Sequence, residues 1–293
     1  MKMFFKIYTK NFFLSFNNLF FCFILPITFC TVTYAVWRAI GILDPITVLP
    51  GMSLFSFATT SIIILPMFLF KFRESGMLIR IKTAGKENKQ YMLSLVIFFF
   101  VLSFVSYFFN LVITSSLLLW NSEVTHMWRS ADYLGLLFTI FLASVLSLSL
   151  GFFIGTVVKR LAIIQICTCT IIFLIMLTSF WVFPAALFSS LYYYQVPVLY
   201  ITYLSPFRYL TMAASESWLQ SDWNNFLQTN IFRFDTVYYS AMNATMSAEV
   251  RLTPICYSYD QILNILIPIA TSLILIYAFS YFRTSQINQR RAI

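Results

Sequence analysis

The chain has 293 residues, 60% of them hydrophobic and only 10% charged, which excludes an ordinary water-soluble domain and points to the membrane class. Its net charge of +9 is distributed along the chain in the way that orients a membrane protein, so it calls for no nucleic-acid partner. The five cysteines do not form a disulfide framework, because Cys22, Cys30, Cys167 and Cys169 lie inside apolar stretches and Cys256 has no partner on its own side.

Residues 1–18 form the first predicted element. Lys2, Lys6 and Lys10 recur every fourth residue and share one helical face, while Phe5, Tyr8 and Phe12 fall on another. This pattern predicts an amphipathic helix lying in the membrane interface, lysines toward lipid headgroups and aromatics in the acyl boundary.

Six apolar stretches follow, at about Leu19–Trp37, Met52–Phe70, Tyr91–Leu119, Tyr133–Val158, Leu161–Phe183 and Gln261–Phe282. Each supplies the roughly 20 residues that a bilayer core of about 30 Å requires. The third is longer than needed, which predicts a tilted or projecting helix. The fold class expected is therefore an all-α integral membrane protein with six transmembrane helices.

Charge fixes the orientation. With odd-numbered spans running outward, all eight lysines and six of the arginines fall on the side of the N-terminus, and eight of the ten acids fall opposite. Both termini are accordingly expected to be cytoplasmic in a multi-pass protein of the cell membrane, of bacterial plasma-membrane type.

Between the second and third spans, residues 72–90 form a basic cytoplasmic segment in which Met77, Leu78 and Ile81 recur at helical spacing among Arg80, Lys82 and Lys86. The fourth span carries Gly135, Thr139, Ala143, Ser147, Gly151 and Gly155 at every fourth position. Small residues at that spacing allow close helix approach, either within the chain or across a dimer seam. Only Lys159 and Arg160 mark the turn into the fifth span, so these two spans should be antiparallel.

Residues 184–260 form the one large region outside the spans. Pro184, Pro197 and Pro206 interrupt its aromatic first part, and Arg208 follows. A seventh crossing would put an acidic segment inside and the C-terminal arginines outside, against the bias elsewhere. Re-entrant helices entering from the outer face are the expectation.

Catalytic and ion-coupling chemistry has little material here. His126, in a short loop with Glu123 and Arg129, lacks the companions a metal needs. No GxSxG, HExxH or P-loop occurs, and the spans hold almost no ionisable groups of the kind that mark proton or sodium coupling. No enzyme activity, metal or cofactor is expected in this chain.

Three sets of residues resemble a known family, the permease subunits of ABC-2-type ABC transporters. Phe72-Arg73-Glu74-Ser75-Gly76-Met77-Leu78-Ile79-Arg80-Ile81 is similar to its segment between spans two and three. Leu150-Gly151-Phe152-Phe153-Ile154-Gly155 with the turn at Lys159-Arg160 is similar to its fourth span. Phe183-Pro184 and Leu204-Ser205-Pro206-Phe207-Arg208-Tyr209 are similar to the pattern flanking its outer re-entrant helices.

The resemblance implies a coupling helix over Arg73–Arg80, docked on a separately encoded ABC ATPase that binds ATP and Mg. Within it, Glu74 and Arg80 would make polar contacts around Gly76, with Met77, Leu78 and Ile81 as anchors. It also implies a second permease, identical or related, contact with membrane lipid, and export of an amphipathic or lipid-like substrate such as a drug, peptide or envelope component. An ion-coupled transporter or channel, or a membrane enzyme acting on lipid, is the alternative.

Overall fold

The computed structural model describes residues 2–40, 49–76, 88–118, 128–129, 131–179, 181, 202, 204–218 and 261–291. Among them there are helices and no strands. Lys2–Phe13 forms α1. The next helix, α2, begins at Phe16–Leu19, passes through a π-helical turn at Phe20–Ile24 and continues as Leu25–Ile40. α3 is built of Leu49–Ser53, Phe55–Phe57, a π-helical stretch at Ala58–Ile64 and Leu65–Glu74. After it come α4 (Asn88–Leu118), α5 (Tyr133–Val157), α6 (Leu161–Thr178), α7 (Pro206–Trp218) and α8 (Gln261–Arg291).

Five helices are long and apolar enough to cross a membrane: Phe16–Val36, Gly51–Glu74, Gln90–Leu117, Tyr133–Val157 and Leu161–Thr178. They fall on the first five expected spans, with ends displaced by a few residues. The largest displacement is at the fifth, whose helix stops at Thr178. Over the sixth expected span α8 is continuous, and its apolar described stretch is the shorter Ile265–Ser280. α4, at 31 residues, is about 46 Å long at 1.5 Å per residue. That exceeds the hydrocarbon thickness, as the sequence predicts.

Polarity is arranged inside out. α4 presents Val101, Val105, Phe108 and Val112 outward and buries Ser103, Ser106, Asn110 and Thr114. Water would favour the reverse, whereas lipid favours apolar side chains on the periphery and hydrogen-bonded polar groups within. The five helices of this pattern are those of a multi-pass membrane protein.

α3 is the central helix. Its apolar stretch is 89% buried, against 22% for those of α2 and α6, which therefore stand at the periphery. α5 packs on α3, α7 and α8, and α7 also leans on α8 and on the first turn of α3. Lys71, Lys159 and Arg160 gather at one end of the bundle, here the basic end, where α3 and α5 finish and α6 begins.

Two apolar cores fill the interior. At the basic end, Phe4, Tyr8 and Phe12 of α1 pack with Phe68 and Phe72 of α3 and Tyr91 and Phe98 of α4. The other gathers Tyr34, Phe55, Tyr107, Leu136, Trp181 and Phe207 toward the far end and runs along α5 as far as Ile154. This corrects the expectation for α1. Its buried stripe is Phe4–Tyr8–Phe12, and those rings lie against protein, with Tyr8 5.6 Å from Phe72 and 5.8 Å from Tyr91. Phe5 is the partly exposed ring, and Lys6 and Lys10 point outward. An aromatic face meeting an aromatic groove gains edge-to-face contacts that acyl chains cannot offer.

Candidate functional site at the basic end and the polar belt

At the basic end the first candidate residues close a helix; they do not open one. Arg73 and Glu74 are the last turn of Leu65–Glu74, and Gly76 follows with φ 65. Its N–H donates to the Arg73 carbonyl at 3.3 Å, and the Ser75 N–H donates to the Lys71 carbonyl at 3.0 Å. A left-handed residue after the cap stops an α-helix, and glycine takes that conformation without strain. The expected Arg73–Arg80 helix is therefore corrected at its start. Met77, Leu78, Arg80 and Ile81 lie outside the described residues.

Arg73 has a partner within the chain. Its guanidinium donates to the Gly155 carbonyl and, at 3.3 Å, to the Val158 carbonyl, both at the end of α5. The last carbonyls of a helix have no intrahelical donor and carry the negative end of its dipole, so a cation there serves both needs. Glu74 is exposed beside it. The Tyr8 hydroxyl, buried nearby, donates to the Tyr91 carbonyl at 3.3 Å, and burial chiefly pushes its phenol well above the ordinary tyrosine range.

The small-residue face of α5 meets α3 of the same chain. A Cβ on Gly151 would stand 2.0 Å from the Ser61 carbonyl oxygen, and one on Gly155 would stand 2.8 Å from Leu69 and 3.1 Å from Pro66 Cα. Ala143 and Ser147 are buried on the same helix, and the Ser144 and Ser147 hydroxyls have no hydrogen-bond partner among the described residues. Gly135 serves the far end, where an added Cβ would meet Asp132 and Ser217.

There Asp132 caps α5 by accepting from the Leu134 N–H at 3.1 Å, and its own N–H donates to the Ser217 carbonyl at 2.7 Å. Pro206 opens α7, suited to a first turn that needs no N–H. Arg208 is buried and donates to the Thr202 hydroxyl. The Ser179 and Ser205 hydroxyls bond at 3.0 Å, and the Trp181 indole N–H donates to Thr211 at 2.9 Å. Thus α7 starts beside the end of the short helix α6 and finishes beside the start of α5. Pro184 and Pro197 lie outside the described residues.

A belt of polar side chains that the sequence expectations omit joins α2, α3 and α4. Ser61 and Ser103 share a hydrogen bond of 3.0 Å, and Cys22 Sγ stands 3.6 Å from the Thr60 hydroxyl. The Ser106 hydroxyl donates to the Cys22 carbonyl. One turn outward, Asn110 donates to Ser56 at 2.9 Å and to Cys30 Sγ at 3.4 Å, and accepts from Thr114 at 3.1 Å.

The signal for this belt is present in the sequence, as Ser103, Ser106, Asn110 and Thr114 at helical spacing opposite Thr59-Thr60-Ser61. A second signal accompanies it. Ile24-Leu25-Pro26 and Ile64-Leu65-Pro66 are the same tripeptide, and each π-helical segment ends at its isoleucine. Proline lacks the N–H that an α-helix would direct to the carbonyl four residues earlier, and its ring crowds that carbonyl. For Pro26 that residue is Cys22, whose carbonyl takes the Ser106 hydroxyl instead.

No protein-family model matches this chain, and neither a curated protein nor a solved structure matches it.

Proposed function

We propose that this chain is the membrane-spanning permease subunit of an ABC exporter, of the ABC-2 type that its motifs resemble. In this reading a separate ATPase subunit binds ATP and Mg and docks on the basic end around residues 72–81. A second permease, identical or related, completes the pathway, and the cargo is amphipathic or lipid-like. The sixth crossing by α8, cytoplasmic termini and a re-entrant α7 belong to the same proposal.

The observation that carries it is the attachment of the basic end to the centre of the bundle. α3 is the most buried span, it ends at Glu74 immediately before the basic segment, and Arg73 ties it to the end of α5. A push on residues 77–81 would act directly on the two most buried helices. A ligand or partner can shift a conformational equilibrium only through contacts that differ between states, and this junction is where such contacts would act.

The test is vanadate-sensitive ATP hydrolysis by the tagged chain purified from its source membranes. Wild type should carry the activity, and Glu74→Arg combined with Arg80→Glu should lower it at least about tenfold with helix content unchanged. Solute movement by the polypeptide alone, with no ATP hydrolysis in the preparation, would instead favour an ion-coupled carrier.

A further inference from the structure

We infer that the two π-helical segments, Phe20–Ile24 of α2 and Ala58–Ile64 of α3, form a paired hinge at which these two helices bend together. The inference stands apart from the identity of any ATPase, since it concerns how this chain bends.

The segments touch. Cys22 Sγ lies 3.6 Å from the Thr60 hydroxyl, so the two departures from α geometry occur at one depth. π turns occupy well under about 1% of residues in proteins, and two in contact, each followed by the same Leu-Pro, are not an accident of one sequence position. Sharp bends in helices arise at prolines and π turns.

On α2, α3 and α4 the hinge lies where one core gives way to the other, whereas on α5 the two run side by side, Leu146 and Ile154 in one and Leu148 and Phe152 in the other. Along α3, Ile63 belongs to the far core and Ile64 to the basic-end core. Along α4, Leu102 and Tyr107 fall on opposite sides, with Ser103 and Ser106 between them. On α2, Cys22 packs in the basic-end core, while Leu25 and Phe29 pack against the far one.

At this level hydroxyls and backbone meet beside the buried side chains of Ile62, Ile63 and Ile64. Thr60 donates to the Ser56 carbonyl at 2.8 Å, Ser61 meets Ser103, and Gly151 leaves the Ser61 carbonyl uncovered by any side chain of its own. Hydroxyls can exchange partners as a helix rewinds, whereas apolar side chains packed at crystal density resist such sliding. The two segments can therefore rewind together by exchanging hydroxyl partners.

Hydrogen–deuterium exchange of the full chain in lipid nanodiscs tests the hinge without any transport assay. Backbone amides of 20–25 and 58–65 should exchange at least about tenfold faster than those of 136–146 in α5, an uninterrupted α-helix. Pro26→Ala with Pro66→Ala restores both missing donors and should slow both segments together. If that variant does not fold, Thr60→Val removes the hydroxyl that bridges them and should speed both. Exchange as slow as α5, or a response confined to one segment, would overturn the paired hinge.

Discussion

Gly151 of α5 and Ser61 of α3 approach so closely that a Cβ at position 151 would lie 2.0 Å from the Ser61 carbonyl oxygen. The obstacle is backbone, so no rotamer change can relieve it and the helices must separate. Gly151→Ala should cost about 2–3 kcal/mol or more, seen as a lower melting temperature in detergent and a lower folded yield. Gly155→Ala should cost less, because Leu69 Cδ1, the nearest atom at 2.8 Å, ends a flexible side chain.

Arg73 holds the end of α5 through the Gly155 and Val158 carbonyls. Arg73→Ala leaves those acceptors without a donor and should destabilise by about 1–3 kcal/mol. Arg73→Lys keeps the charge near the helix terminus but not the planar fork, so it should recover only part of the loss. Thermal unfolding of both variants, followed by circular dichroism, checks the order.

Asn110 joins α2, α3 and α4 through Cys30, Ser56 and Thr114. Interhelical hydrogen bonds within membranes are individually modest, so Asn110→Leu should cost about 1–2 kcal/mol. Ser116→Ala, whose hydroxyl bonds only within its own helix at an exposed site, should cost almost nothing. Equal effects of the two in a steric-trap or denaturant assay would contradict this.

Tyr8 anchors α1. Tyr8→Phe should keep the ring contacts and change stability by less than about 1 kcal/mol, while Tyr8→Ala should release α1 and speed proteolysis at Lys6 and Lys10. The buried phenol keeps its proton at a pH where the free side chain loses it. Docking of α1 should therefore be undiminished below about pH 10 and weaken as the pH rises beyond that. Tyr8→Phe should remove the alkaline loss.

The first five spans were legible in the sequence because lipid imposes a length and an apolar composition that few other environments demand. The close face of α5 was legible as well, since Gly151 and Gly155 recur at helical spacing. Which helix fills that face was not, because α3 is a tertiary neighbour. The same limit applies to Arg73, whose position in a basic run suggests an exposed partner, while its actual partners are carbonyls 82 and 85 residues away. The α1 stripe was misplaced by one residue, Phe5 for Phe4, because both fit an aromatic face until the groove between α3 and α4 selects one. Pro26 and Pro66 carried a readable signal for the π turns, in the repeated Ile-Leu-Pro.

Coupling to an ATPase at the basic end is tested most directly by a photo-crosslinking residue in place of Ser75, introduced in native membranes. Mass spectrometry of the adduct should identify a polypeptide carrying a P-loop, and Ser75→Cys, in a variant whose five native cysteines are replaced by alanine, should react with an impermeant thiol reagent only in inverted vesicles. Adducts with lipid alone, or labelling of Ser75→Cys from outside intact cells, would contradict the account.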